Sequence, residues 1–429
     1  MKLICYAQTD PGNKRPKNED FYLTDEELGL YIVCDGVGGH VAGGMASELC
    51  ARTIRQFVND GKTLIQKYNA DKTLKNRAVV AGLLQKAIQS ANEKIYGMAE
   101  VDVMKKGMCT TVVSMLLLDD FVILGHVGDS RIYLYRAGQV HQLTEDHKYA
   151  VEMIKKGILS PEDAARSPQG NVLTRAVGFQ ASLQVDTLQL ELMEGDLFLL
   201  CSDGLHGYAD RNELKNQFAQ DLQTIPSHLV QYAKQRGGHD NITAVVVRFE
   251  QGKEAGVEVL DILKKTEIMG KIPIFRYMTY SEINKILSIA QVRFFKKGDV
   301  ILKEGAPSDE MFIIAQGSVD VIKDSVKVKT RFKGEVFGEM GIFDNAPRSA
   351  SVHAVESVIG ISLQRRELLG LLRQESQIAV KLLWALNSEL NSRLRQATQD
   401  AVDKKVAPTA GEQTDISVLP FDLSDRLER

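Results

Sequence analysis

The chain has 429 residues, 44% hydrophobic and 25% charged, the composition of a soluble globular protein and length enough for two domains. A formal net charge of -3 with scattered Lys and Arg gives no electrostatic basis for a nucleic-acid or membrane-surface partner. The five cysteines form no CxxC pair and lie in or beside apolar runs, which speaks against a disulfide framework or a zinc site.

Met1 leads into a segment too short and too quickly polar for a signal peptide, and no apolar run approaches the ~20 residues that a membrane span needs. With reduced cysteines, this places the expected location in the cytoplasm. Over residues 1–250 the sequence predicts strands at Tyr31–Cys34, Thr111–Leu118, Phe121–His126, Arg131–Arg136, Leu197–Cys201 and Ala244–Phe249, all rich in Val, Ile, Leu and Phe. Turn-like breaks at Asp119-Asp120 and Ala137-Gly138 make 111–136 read as an antiparallel meander. Ala42, Met45, Leu49, Thr53 and Phe57 share one helical face, as do Leu83, Ala87, Ala91 and Ile95. Antiparallel strands with separate long helices suggest sheets sandwiched by helices, an α+β class.

Residues 251–268 are charged, lack strand periodicity and read as a short helical linker. From Gly270 the texture changes to short strands punctuated by Gly-containing turns at Gly298, Gly305, Gly317 and Gly334, the pattern of a β-roll or barrel. A helix is predicted from about Arg366 to Arg395 on the stripe Leu368, Leu372, Ile378, Leu382, Leu386 and Leu390. The sequence thus divides into a first domain at 1–250, a linker at 251–268, a second domain at 269–395 and a disordered tail at 396–429.

Five short segments of the first domain carry acidic residues, most of them beside glycine: Asn18-Glu19-Asp20, Asp35-Gly36, Gly128-Asp129-Ser130-Arg131, Ser202-Asp203-Gly204 and Asp240-Asn241. Singly, an Asp-Gly at a strand end is an ordinary turn. Five such acidic segments in one domain suit a two-metal phosphoryl site, since hard divalent cations take carboxylate and carbonyl oxygens. No His or Cys cluster competes for the softer metals. In order with Arg15, the run Asp35-Gly36-Val37-Gly38-Gly39-His40, Thr110-Thr111 and Leu173-Thr174-Arg175, these segments resemble the bacterial type-2C, metal-dependent serine/threonine protein phosphatases over nearly all of 1–250.

That resemblance implies an α-β-β-α sandwich holding two or three Mg²⁺ or Mn²⁺ ions. Asp35 would bridge the two core metals with the Gly36 carbonyl on one of them, and Asp203 and Asp240 would complete the other's shell. Glu19 and Asp20 would hold metal-bound waters, Asp129 with Asp203 would support a third ion, and Arg15 would grip the substrate phosphate. The metals would acidify the attacking water and neutralise the phosphoryl oxygens, so no cysteine nucleophile is needed. Animal members often carry His where this chain has Val37. The nearest histidine is His40, a general acid or a packing residue, and His126 reads as a satisfied core histidine.

In the second domain, Phe337-Gly338-Glu339-Met340-Gly341 followed by Pro347-Arg348-Ser349-Ala350 resembles the phosphate-binding cassette of cyclic-nucleotide-binding domains. The resemblance implies that Glu339 binds the ribose 2′-hydroxyl and Arg348 the cyclic phosphate, with Gly338 and Ser349 adding donors. The Arg-Ser pair is similar to bacterial cAMP receptors, which favours cAMP over cGMP. The helix after residue 365 would be a lid, with Trp384 or Leu383 over the base, while most of its leucine stripe reads as core or a dimer seam. The expected function is a phosphoserine/phosphothreonine protein phosphatase, opposing a serine/threonine kinase and regulated by a cyclic nucleotide. The alternative is a catalytically idle scaffold that senses the nucleotide. A transcription factor is disfavoured, because no helix-turn-helix pattern or basic recognition helix follows residue 395.

Overall fold

The computed structural model describes residues 2–37, 42–250, 272–307, 309–344 and 346–406. The expected linker at 251–268 and His40 lie outside these residues.

The apolar runs of the first domain are continuous because both faces of each strand are buried. In the strand Leu30–Val37, Leu30, Ile32 and Cys34 face the helical layer while Tyr31 and Val33 face the opposite sheet. In Ile242–Glu250, Ala244 and Val246 point to one layer and Val245, Val247 and Phe249 to the other. One sheet runs Lys2–Asp10, Ile242–Glu250, Leu197–Cys201, Arg131–Arg136, Gln139–Gln142. The other runs Asp20–Asp25, Leu30–Val37, Val112–Leu117, Phe121–Val127, Asp186–Glu191, with Cys109–Thr110 paired to Leu30–Val37 off that path. Helices Ala42–Asp60 and Leu74–Val101 cover the second sheet, and Arg211–Phe218 and Ile225–Gln235 cover the first. The α-β-β-α sandwich is present.

Two local expectations change. Val112–Leu117 and Phe121–Val127 form an antiparallel pair, but Arg131–Arg136 leaves that sheet and pairs with Leu197–Cys201. The expected meander breaks at Gly128, whose φ of +107° turns the chain from one sheet to the other. On the first helix Ala42 of the expected stripe is buried and Leu49 and Phe57 pack against the core, but the deepest positions are Ala46, Cys50, Ile54 and Val58, and Met45 is exposed. Leu83, Ala87, Ala91 and Ile95 are buried as expected.

The second domain is a β-roll of two four-stranded sheets. Leu302, Phe312, Ile314, Val319, Phe337 and Val352 fill the space between them. A second apolar layer joins Met311, Ile313, Ile361 and Leu363 to the helices Tyr280–Leu287, Arg365–Gln374 and Ser376–Val406. The helix expected at 366–395 is therefore two helices broken at Glu375, which leaves helical geometry at φ -115°, ψ 76°. No Gly or Pro marks the break; the only sign is the six-residue step from Leu372 to Ile378. The second helix runs to Val406, so the disordered tail expected from residue 396 cannot begin there. Among the described residues no helix is long and apolar enough to cross a membrane.

Candidate active site and nucleotide cavity

The acidic segments converge because the strand ends that carry them lie at one end of the sandwich. Asp20 and Asp35 face each other across the antiparallel pair Asp20–Asp25 and Leu30–Val37. The backbone of Asp35 is fixed by Thr110 Oγ1 and the Thr111 N–H, which both donate to its carbonyl at 2.8 Å. Asp203 follows Leu197–Cys201, Asp240 precedes Ile242–Glu250, and Asp129 sits in the crossing between the sheets. Asn241 ties the loop bearing Glu19: its Oδ1 accepts from the Glu19 N–H at 2.8 Å, and its Nδ2 donates to the carbonyls of Pro11 and Lys17.

The carboxylates are held close with little counter-charge. Burial pushes the Asp20 carboxyl up to about 7, aided by Asp203 and Asp240, although Thr243 and Ser202 donate to its Oδ2 at 2.6 and 2.7 Å. Burial likewise pushes Asp203 up to about 6, with Asp129 adding to it. Asp35 is raised well above the carboxylate range by burial and by Asp20, Asp203, Asp129 and Asp240. Oδ1 of Asp20 and Oδ1 of Asp203 are buried without a hydrogen-bond partner. Among the described residues two cations pair directly with the group: Arg15 Nη2 lies 2.8 Å from Asp240 Oδ2, and Lys148 Nζ lies 2.7 Å from Asp129 Oδ2.

These features fit hard divalent cations. The donor set is oxygen only, two buried carboxylate oxygens are orphaned, and the backbone is drawn in close where glycine stands. A Cβ on Gly36 would lie 2.2 Å from the Gly43 carbonyl oxygen, and one on Gly204 2.0 Å from that of Asn241.

Raised carboxyl pKa values give a signed stability prediction for the metal-free protein. Between the unfolded value of about 3.9 and the folded values near 6 and 7, the native state binds more protons than the unfolded chain. Stability therefore falls as pH rises from about 4 to 7. Thermal melts in chelator should show a lower Tm at pH 7.5 than at pH 5.5, and Mn²⁺ should reverse that order. A chelated protein with higher Tm at pH 7.5 would contradict this.

Sequence reading missed the segment Asp146-His147-Lys148, which clamps the Asp129 turn. Arg131 donates to both oxygens of Asp146 at 2.8 Å. The His147 N–H donates to the Gly128 carbonyl at 2.8 Å, while the Gly128 N–H donates back to His147 Nδ1 at 3.0 Å. With Nδ1 accepting, the His147 proton sits on Nε2, 3.1 Å from Asp186 Oδ2. His126, His147 and Asp186 gather within 4.8 Å like a metal trio, but His147 then has no free lone pair to offer. His126 is a buried core residue, held neutral by burial with its pKa pushed down to about 3, yet its Nε2 is unpartnered rather than satisfied. Burial also raises Cys34, Cys109 and Cys201, which leaves them inert as nucleophiles. Val37 is exposed at the rim.

In the second domain, Gly338, Glu339, Arg348 and Ser349 border one cavity of about 180 Å³. Arg348 is buried, and its guanidinium donates to the carbonyls of Gly338 at 3.0 Å and Glu310 at 2.5 Å. These two bonds fix the plane of the fork at the cavity wall. Glu339 is buried beside the short helix Met340–Asp344, and Ser349 is exposed.

The family model for protein phosphatase 2C matches residues 14–241, and that for the cyclic nucleotide-binding domain matches 292–375. The chain belongs to the protein phosphatase 2C family. It is 33% identical over 256 residues to the serine/threonine phosphatase stp of Listeria innocua, covering 58% of this chain and 98% of that one. It is 34% identical over 248 residues to the protein phosphatase PhpP of Streptococcus pneumoniae, covering 57% and 96%. The solved S. agalactiae serine/threonine phosphatase superposes with a TM-score of 0.51 at 34% identity, covering 58% of this chain and all of that one. This phosphatase is thus a protein-serine/threonine phosphatase with a cyclic-nucleotide-binding domain appended.

The appended domain departs from expectation in its lid. Trp384 and Leu383 are exposed, and neither borders the cavity. Most of the leucine stripe is core, as the sequence reading has it: Leu368, Ile378, Leu382 and Leu386 are buried, while Leu390 is exposed.

Proposed function

We propose that this 2C-family phosphatase is metal-dependent and is regulated by a cyclic nucleotide, cAMP in preference to cGMP. The observation that carries the first part is the convergence of Asp20, Asp35, Asp129, Asp203 and Asp240 on one site, where Asp20, Asp35 and Asp203 have raised pKa values and Asp20 and Asp203 each keep an orphaned oxygen. Asp35, the Gly36 carbonyl, Asp203 and Asp240 would hold two core Mg²⁺ or Mn²⁺ ions, with Glu19 and Asp20 ordering their waters. Bound there, the ions supply an acidified water and neutralise the phosphoryl oxygens. Arg15 is half exposed at the rim and shares only one edge of its fork with Asp240, which leaves donors for the phosphate of a phosphoserine or phosphothreonine protein. An idle scaffold would have no need of so costly a cluster of like charges.

Regulation in cis is supported by a direct contact between the domains. Tyr280, at the start of the helix Tyr280–Leu287, stacks on His141 at 3.9 Å and accepts a hydrogen bond from Arg136 at 3.0 Å. That helix is tied to the C-terminal helices by Glu282–Lys381 at 2.8 Å and Lys285–Glu375 at 2.5 Å. Arg136 ends the strand that begins at Arg131, two residues after Asp129.

The test is hydrolysis of a phosphothreonine peptide with and without Mn²⁺, titrated with cAMP and cGMP. Activity only with metal, altered by nucleotide, is expected; activity undiminished in chelator, or identical at saturating nucleotide, sinks the corresponding half. Contacts to a charged group are worth roughly 1.5–3 kcal/mol, so Arg348→Ala should weaken cAMP binding at least about tenfold by calorimetry.

A further inference from the structure

We propose that the ε-ammonium of Lys148 is a built-in cation for the Asp129–Asp203 corner, so that this phosphatase takes two exchangeable divalent ions rather than three. The inference rests on the two-metal reading above and concerns only which cation fills that corner.

Lys148 Nζ lies 2.7 Å from Asp129 Oδ2, with side chains only 15% and 7% exposed. Asp203 also acts on the Lys148 charge, so the ammonium sits within electrostatic reach of both carboxylates. Both ends of the pair are held in place. The Asp129 turn is gripped by His147 through Gly128 and by Asp146 through Arg131. On the other side, Lys148 pairs with Leu173 in an isolated bridge, and the flanking His147 carbonyl accepts from the Thr174 N–H at 2.9 Å. The Tyr149 N–H donates to the Val172 carbonyl at 2.9 Å. A divalent ion entering between Asp129 and Asp203 would meet a like charge and would have to break the ammonium contact first. The core pair around Asp35 meets no such ion pair among the described residues: Arg15, which acts on the Asp35 charge, is half exposed at the rim and pairs with Asp240.

Mn²⁺ stoichiometry of the full chain, followed by the loss of free-ion electron paramagnetic resonance signal, tests this without reference to activity. Wild type and Lys148→Arg should bind two ions per chain and Lys148→Met three. Adding Asp129→Asn to Lys148→Met should return the count to two. In chelator Lys148→Met should melt below wild type, and Mn²⁺ should raise its Tm by more. Asp129→Asn alone should keep two ions, which decides the matter even if Lys148→Met does not fold. Three ions on wild type, or one fewer on Asp129→Asn than on wild type, overturns the role of Lys148 and leaves the two-metal reading standing. Fewer than two ions on wild type overturns that reading itself.

Discussion

Asp240→Asn is expected to lower kcat on a phosphothreonine peptide by on the order of 10³ at saturating Mn²⁺ while leaving the fold intact. The substitution keeps the shape of the side chain and an acceptor for the Asn241 N–H, which donates to Asp240 Oδ1 at 2.9 Å. It removes one negative charge from a group that is 39% exposed and therefore contributes little to packing. On the proposed role of Asp240, what is lost is charge that would hold a cation. Metal-ion stabilisation of a phosphoryl transition state is worth several kcal/mol, and each 1.36 kcal/mol is a factor of ten, so losing about 4 kcal/mol gives that figure. Circular dichroism should match wild type, and higher Mn²⁺ should recover part of the rate. Wild-type turnover in the folded variant would refute the role given to Asp240.

On the proposed regulation in cis, Tyr280→Ala is expected to abolish the response to nucleotide while leaving nucleotide binding in place. A coupling of roughly 1–3 kcal/mol gives about 5–150-fold modulation in wild type. In the variant the ratio of rates with and without nucleotide should fall to within about twofold. The ring is the point where the second domain enters the core between the two sheets, since Tyr280 packs against the cluster that includes Tyr31, Val245 and Phe249. Its hydroxyl meets Arg136, which is committed to a buried ion pair with Asp196 and a bond to the Glu191 carbonyl at 2.7 Å. Movement of the helix Tyr280–Leu287 therefore acts on a rigid partner at the end of the strand leading from Asp129. Tyr280→Phe keeps the stacking on His141 and loses the hydrogen bond, so it should retain part of the modulation. Undiminished modulation in Tyr280→Ala would place the coupling elsewhere.

Much of the site was legible before the fold. Asp35, Asp129, Asp203 and Asp240 stand beside Gly or Asn at strand ends, and their order along the chain carried a family likeness that no one of them carries alone. The second domain was legible too, because its β-roll is written in short strands punctuated by turn glycines and its candidate site in a contiguous stretch from Phe337 to Ala350. The helix face at 42–57 was legible only in part: Ala42, Leu49 and Phe57 do face the core, but the deepest packing is made by Ala46, Cys50, Ile54 and Val58, which lie on neighbouring positions. The break at Glu375 was missed because it has no Gly or Pro.

The sequence by itself determined the layers, the acidic segments and the nucleotide-binding domain, because each rests on local periodicity or on short contiguous motifs. Only the tertiary structure decided that the chain changes sheets at Gly128, that Asp146-His147-Lys148 clamps Asp129, and that Tyr280 joins the two domains. Those facts depend on which residues far apart in the chain are brought together. A lysine reads as a solvated charge until a buried carboxylate is placed 2.7 Å from it.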